Sequence, residues 1–338
     1  MLQDPATAGP HDPRSPAPAR SPGSVRRTST VDTHRPEGLM GPAVVDARAR
    51  DLWTARNLAT DVVASARVEA KLDGPAHQLL SITSDPPASG LDTLAGAVVG
   101  PGFRGKVDRA VPELRGTGSL LYLLLDDLPG ATLVSGYAML HAGVVGTVAA
   151  GDEYLEARGD LCAGWAVDGS MLTTIREHGV NPTPVGPAAL PLTDGDTLAF
   201  HPTEPIEPFG MRRLRRLDVG SPDDPDAPYP VSVFFRDTHT DADGRGTIVH
   251  EYSVSLTVGG SPRAVEQIEV TADVLPWVEC PGALGSAQRL VGRPLAGLRP
   301  WVRKTFVGTS TCTHLNDVLR GLADVDHLVD LVTTRRAG

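Results

Sequence analysis

Cys312-Thr313-His314-Leu315-Asn316-Asp317, near the end of this 338-residue chain, is the one place where a thiol and an imidazole lie two residues apart. Cys280 stands upstream in Trp277-Val278-Glu279-Cys280-Pro281-Gly282, and the third cysteine, Cys162, lies in Leu161-Cys162-Ala163-Gly164-Trp165. Two thiols and an imidazole are soft donors that suit zinc. On that reading Cys280, Cys312 and His314 are ligands, and Asp317, Asp243 or Cys162 supplies a fourth. The same residues also describe a nucleophile site, with Cys312 as thiolate, His314 as its base and Asp317, one turn on, as the orienting group for a small acyl or carbonyl substrate. A third reading has no chemistry: Cys312 is a small buried residue, His314 packs beside it, and the chain is a partner-binding module.

The element that must position this motif is a helix. Leu315, Val318, Leu319, Leu322, Val325, Leu328 and Val329 fall on one face, and Ser310, Thr311 or Thr313 can cap its start. Cys312 then sits at or just before the helix N-terminus, where free N–H groups favour a thiolate. Both side chains can serve one site only if Cys312 is still in the loop.

Composition narrows the function classes. A net charge of −10 argues against nonspecific nucleic-acid binding, which needs basic residues to neutralise phosphates. Three cysteines show no disulfide framework, and Met1-Leu2-Gln3-Asp4-Pro5 has no basic-then-apolar leader pattern. A reducing, cytoplasmic setting is the expectation. Ala131 to Ala150 lacks Asp, Glu, Lys and Arg, but its glycines, His141 and acidic flanks favour a buried segment over a membrane span. Residues 1–25 are rich in Pro, Ser and Ala, and disorder is expected there.

Beyond that tail the chain repeats itself. A shift of 186 residues lays Arg26-Arg27 on Arg212-Arg213, Asp32 on Asp218, Arg50-Asp51 on Arg236-Asp237 and Val68 on Val254, without a gap between Arg26 and Val68. Alternating strands, a hairpin, glycine turns and an apolar helix follow in the same order in both copies. The expected fold is α+β: an internal duplication of an antiparallel-sheet-plus-helices unit, helices on one sheet face. The expected divisions are a tail (1–25), a first repeat (26–134), a Pro/Gly-rich connector (135–210) and a second repeat (211–338) carrying the Cys/His motif. Leu120 and Tyr122 of the first copy take the places of Cys312 and His314, so the unit folds without thiol or imidazole there.

Other motifs read as structural. Gly100-Pro101-Gly102-Phe103-Arg104-Gly105-Lys106-Val107 mimics a phosphate loop, but Val107 stands where Ser or Thr would hold magnesium, so it reads as a turn before a helix with solvated Arg104 and Lys106. Arg26-Arg27 and Arg212 to Arg216 read as solvated strand-edge residues. Arg50-Asp51 and Arg236-Asp237 read as a repeated ion pair, and His250 as core or surface.

From about Arg26 onward the chain resembles a bacterial family catalogued as domain of unknown function 2889, through Arg50-Asp51-Leu52, Gly102-Phe103-Arg104, Leu124-Leu125-Asp126-Asp127-Leu128, Cys162-Ala163-Gly164-Trp165 and Cys312-Thr313-His314-Leu315. That resemblance implies no activity. Gly246 to Asp330 also looks like the U-type iron–sulfur scaffold proteins, with Cys280 as the second scaffold cysteine and Cys312 with His314 as the closing ligands. Asp243-Gly244-Arg245 stands where the first scaffold cysteine belongs. The likeness therefore implies a scaffold-like fold with zinc, better suited than a cluster to three soft ligands.

Overall fold

The computed structural model describes residues 1–338 apart from 15, 16, 75, 145–154, 157, 192, 194, 195, 225 and 338. The chain is mixed α+β, built on one antiparallel sheet of eight strands: β1 Ser24–His34, β2 Ala43–Thr54, β3 Thr60–Leu72, β4 Leu79–Asp85, β5 Met211–Val219, β6 Tyr229–Thr240, β7 Gly246–Gly259 and β8 Ala264–Val274, in the order β4-β3-β2-β1-β5-β6-β7-β8. The central pair is β1 with β5, where Arg26 opposes Asp218 and Asp32 opposes Arg212.

The register repeats 186 positions on. Arg27 opposes Asp51 as Arg213 opposes Asp237. The β2–β3 ladder slips between Asp51 and Leu52, and the β6–β7 ladder between Asp237 and Thr238. The β3–β4 ladder slips between Lys71 and Leu72, and the β7–β8 ladder between Thr257 and Val258. Bulges re-aim side chains, and these fall at the same place in the two halves, whereas a further slip in the β7–β8 ladder between Glu251 and Tyr252 has no counterpart in β3–β4.

Helices follow each set of four strands and cover one sheet face. In the first half these are α1 (Phe103–Ala110), α2 (Leu120–Ser135) and α3 (Tyr137–His141), and α4 (Ser170–His178) lies in the connecting stretch. The second half ends in α5 (Leu298–Thr305), α6 (Thr313–Gly321) and α7 (Val325–Ala337). Both α1 and α5 start after a glycine with positive φ, Gly102 at 83° and Gly297 at 76°. The single terminal helix read from the sequence is broken by a 3-10 turn at Leu322–Asp324. Ala131 to Ala150 begins inside α2 and runs into α3, while 145–150 lie outside the described residues. No helix among the described residues is long and apolar enough to cross a membrane.

The opposite sheet face is covered by extended chain. Arg26 donates to Pro18 O and Ala199 O, His201 sits between Thr28 and Thr30, and Phe200 packs with Leu214 and Phe234. The stretch expected to be disordered, 1–25, is thus laid down where described: Gln3 donates to Pro276 O and Arg14 pairs with Asp273. Its few anchors are polar side chains and backbone groups, which a composition of Pro, Ser and Ala does not reveal.

The apolar core falls into two main clusters, one containing Val31, Val45, Val68, Phe103 and Leu124, the other Val233, Phe235, Leu256, Leu315 and Leu328 together with Val25 and Trp53 of the first half and Met171 and Ile175 of α4. Arginines and aspartates lie between them. On the helix face Arg27 and Arg213 of the central strands, with Arg215, meet Asp51, Asp237, Asp127, Asp317 and Asp324, and Arg104, Arg299 and Arg320 from the helices converge on Asp126. Six arginines balance six aspartates, so the buried charge is neutral.

Several sequence readings change here. The arginine runs are not solvated edges, because β1 and β5 are the central strands. Nor are Arg50-Asp51 and Arg236-Asp237 pairs: adjacent strand residues point to opposite faces. Asp51 pairs with Arg27 across the ladder, Arg236 pairs with Glu251, and Arg50 donates to Leu198 O. Arg104 is not solvated either, since its guanidinium reaches Asp126 and Asp317.

Candidate metal centre

Cys312 is the N-cap of α6, in extended backbone, and its side chain is 4% exposed. None of Ser310, Thr311 and Thr313 makes the cap. The N–H groups of His314 and Leu315 point at the Cys312 sulfur, and Tyr252 Oη donates to it at 3.2 Å. The His314 Nδ1 lies 4.0 Å from that sulfur. Cap geometry therefore solves the spacing problem, because a residue just outside the helix can share a site with one in its first turn.

The other two thiols arrive from separate segments. Cys162 precedes a 3-10 turn, Ala163–Trp165, and its sulfur is approached by the N–H groups of Gly164, Trp165 and Thr313, the last being the neighbour of Cys312. Ala163 N–H donates to Thr311 O at 2.9 Å, which ties that turn to the loop before α6. Cys280 opens the 3-10 stretch Cys280–Leu290 after β8. A Cβ at Gly164 would lie 2.8 Å from the Cys280 sulfur, so Cys162 and Cys280 flank one close approach. All three cysteines are free and buried.

Burial governs their chemistry. Desolvation pushes the Cys162 thiol up to about 12, with the charge of Cys312 adding to it. It pushes Cys280 well above the ordinary range, again with Cys312 and Cys162 adding, and raises Cys312 despite its donors. His314 goes the other way: burial, then the neighbouring His250, hold it well below its usual value. The Cys312–His314 pair is thus a neutral thiol beside a neutral imidazole.

Two residues the sequence reading set aside complete the geometry. His250, on β7, stacks on His314 with ring centroids 3.6 Å apart. Its Nδ1 lies 3.1 Å from Asp237 Oδ2. Asp237 is also gripped by Arg213, which holds its carboxyl well below the usual range against burial. Among the described residues, Asp237, His250 and His314 are the one trio of metal-ligating side chains whose donor atoms all lie within 4.8 Å of one another. The available sequence signal was the repeat itself: 186 positions earlier His250 and Tyr252 fall on Ala64 and Ala66.

The three fourth-donor candidates separate cleanly. Asp317 faces away from the thiols into the ion network, with Oδ2 2.6 Å from Arg213 and Oδ1 on Arg104 and Arg320. Burial would raise its carboxyl, but those arginines more than offset that. Asp243 is in the exposed β6–β7 turn, paired with Arg245. Cys162 is beside the site. By cap position, Ser119 at the start of α2 matches Cys312, so Leu121 stands for His314, one residue from the pairing read in the sequence.

Comparison with known proteins supplies a partial match. Residues 211–327 match the family described as protein of unknown function (DUF2889). The matched span takes in Arg213, Asp237, His250, Tyr252, Cys280, Cys312 and His314 and leaves Cys162 outside. No curated protein and no solved structure matches the chain.

Proposed function

We propose that this chain binds a soft divalent cation of the zinc class, with Cys280, Cys312 and His314 as ligands. The observation that carries the proposal is the approach of His314 Nδ1 to the buried Cys312 sulfur at 4.0 Å, with His314 Nε2 buried and lacking any hydrogen-bond partner. An unpaired buried nitrogen costs about 1–3 kcal/mol. A cation taken up at Nε2 would relieve that cost, and one bound by the thiols would replace the protons that burial now retains. The N–H groups aimed at Cys312 suit a thiolate, whose charge they share.

A site enclosed by protein donors stabilises structure and performs no chemistry. The ion would fasten the loop before α6 to the end of β8, beside the turn that holds Cys162. Support for a Cys312 nucleophile is weaker: the thiol is raised, the imidazole is lowered, and Asp317 is occupied elsewhere. Cluster assembly is not part of the proposal, because the Asp243-Gly244-Arg245 turn is exposed and its carboxylates are engaged by Arg245.

We also propose that the two halves are copies of one unit and that the site arose in the second. The shared register and bulges support this, as do Ala64 and Ala66 in the places of His250 and Tyr252.

The test is metal analysis of protein purified without a histidine tag, combined with alkylation of the native thiols. The expectation is close to one zinc per chain and cysteines that label only after chelation. A metal-free preparation that takes up no added zinc, and whose Cys280→Ala, Cys312→Ala and His314→Ala variants are as stable as the parent, refutes the proposal.

A further inference from the structure

We propose that the fourth ligand is His250, making a site of two thiolates and two imidazoles, with Asp237 as the residue that orients His250. This rests on the metal reading above.

Geometry comes first. The Asp237 carboxylate is ionised and can only accept, so His250 Nδ1 must carry the proton it shares with Oδ2 at 3.1 Å. The free lone pair of His250 is then on Nε2. An imidazole held by a carboxylate through one nitrogen, with its lone pair on the other, is the usual dressing of a metal-bound histidine. Arg213 grips Asp237 from β5 by two bonds, at 2.9 and 3.1 Å, so the carboxylate is fixed before the histidine is. The stacked His314 ring brings a second nitrogen within 4.8 Å of the His250 and Asp237 donors. Two imidazoles on one zinc have nitrogens about 3.3 Å apart, given bonds near 2.0–2.1 Å. Because their lone pairs lie in the ring planes, the two rings would splay out of the stack on binding so that both nitrogens point at the ion.

Charge decides between His250 and Cys162. A dication with the Cys280 and Cys312 thiolates and two neutral imidazoles sums to zero, the two thiol protons leaving to solvent. A third thiolate from Cys162 would leave one net negative charge in a dry site, which is costly. Arg213 cannot offset it, being shared already between Asp237 and Asp317. On this charge balance Cys162 stays a thiol, as its burial favours despite the N–H groups around it.

Cobalt(II) is the probe, since its visible bands report both coordination number and the balance of sulfur to nitrogen. The parent chain should bind one cobalt with the spectrum of a tetrahedral two-sulfur, two-nitrogen site. His250→Ala should lose or shift that spectrum, Asp237→Asn should weaken binding about 10–100-fold, and Cys162→Ser should leave both unchanged. X-ray absorption of the zinc-loaded parent counts the same scatterers without any variant, which covers a His250 variant that fails to fold. A count of three sulfurs and one nitrogen, or a spectrum that changes in Cys162→Ser and not in His250→Ala, overturns the assignment of His250 and leaves the metal reading standing. A parent chain that binds neither metal removes the metal reading itself.

Discussion

Arg213 and Asp237, on neighbouring central strands, form a two-bonded ion pair that is fully buried, and 186 positions earlier Arg27 and Asp51 form the same pair. The pairs differ in what lies beyond them: Asp237 passes its second bond to His250, whereas Ala64 occupies that place in the first half. Removing one partner from a buried pair strands the other's charge, at about 3–5 kcal/mol. Arg213→Met and Arg27→Met should therefore cost similar stability in urea unfolding. Arg213→Met alone should also weaken cobalt binding. Equal effects of the two variants on metal would show that the repeated pair has no special tie to the site.

Gly164, in the connecting stretch, lies against the Cys280 sulfur, and its backbone conformation does not require glycine. Gly164→Ala places a methyl 2.8 Å from that sulfur and 3.2 Å from the Trp277 ring. We expect a loss of about 1–3 kcal/mol from overpacking and weaker metal uptake as Cys280 is pushed aside. Thermal melts with and without zinc separate the two effects. A variant as stable as the parent, with the same zinc-induced shift, would mean that the turn yields freely.

His201 sets an acid limit on the opposite sheet face. Its nitrogens lie 2.9 and 3.0 Å from the hydroxyls of Thr28 and Thr30, and burial, then Arg50 and other arginines, lowers its pKa from 6.5 to about 3. The unfolded chain thus binds a proton between those values that the folded chain refuses. Stability is complete above pH 6.5 and falls as pH drops from there toward 3, by at most about 1.4 kcal/mol per pH unit from this residue. Urea midpoints at pH 7 and pH 5 should converge more in His201→Asn than in the parent. An identical pH dependence would show that His201 protonates without cost.

Neither half should persist alone. Cutting between them exposes β1 and β5 along their whole length, and it strands Arg27, Arg215 and Arg299 from Asp324, Asp127 and Asp126. Fragments 1–142 and 143–338 should be insoluble when expressed separately and soluble when expressed together. A monomeric, cooperatively folded 143–338 fragment would show that the β1–β5 joint is dispensable.

The strands, the matching residues 186 positions apart and the closeness of Cys312 and His314 were legible in the sequence because they rest on local rules. Alternation marks strands, an apolar stripe marks the closing helical stretch, and identical spacing shows in the sequence whatever the packing. A thiol just before a helix and an imidazole in its first turn lie together by covalent geometry alone. What joins the halves was not legible. Arg213 and Asp237 are 24 residues apart in the chain, and Asp126 and Arg299 are 173 apart. An arginine on a strand looks solvated until the tertiary structure puts that strand at the sheet centre and an aspartate opposite it. His250 was missed for the same reason: a lone histidine on a strand carries no signal until a bulge between Asp237 and Thr238 and the docking of α6 set it between a carboxylate and a second imidazole. Composition and periodicity determined the elements, and only long-range packing, which turns isolated charges into pairs, decided where the chemistry lies.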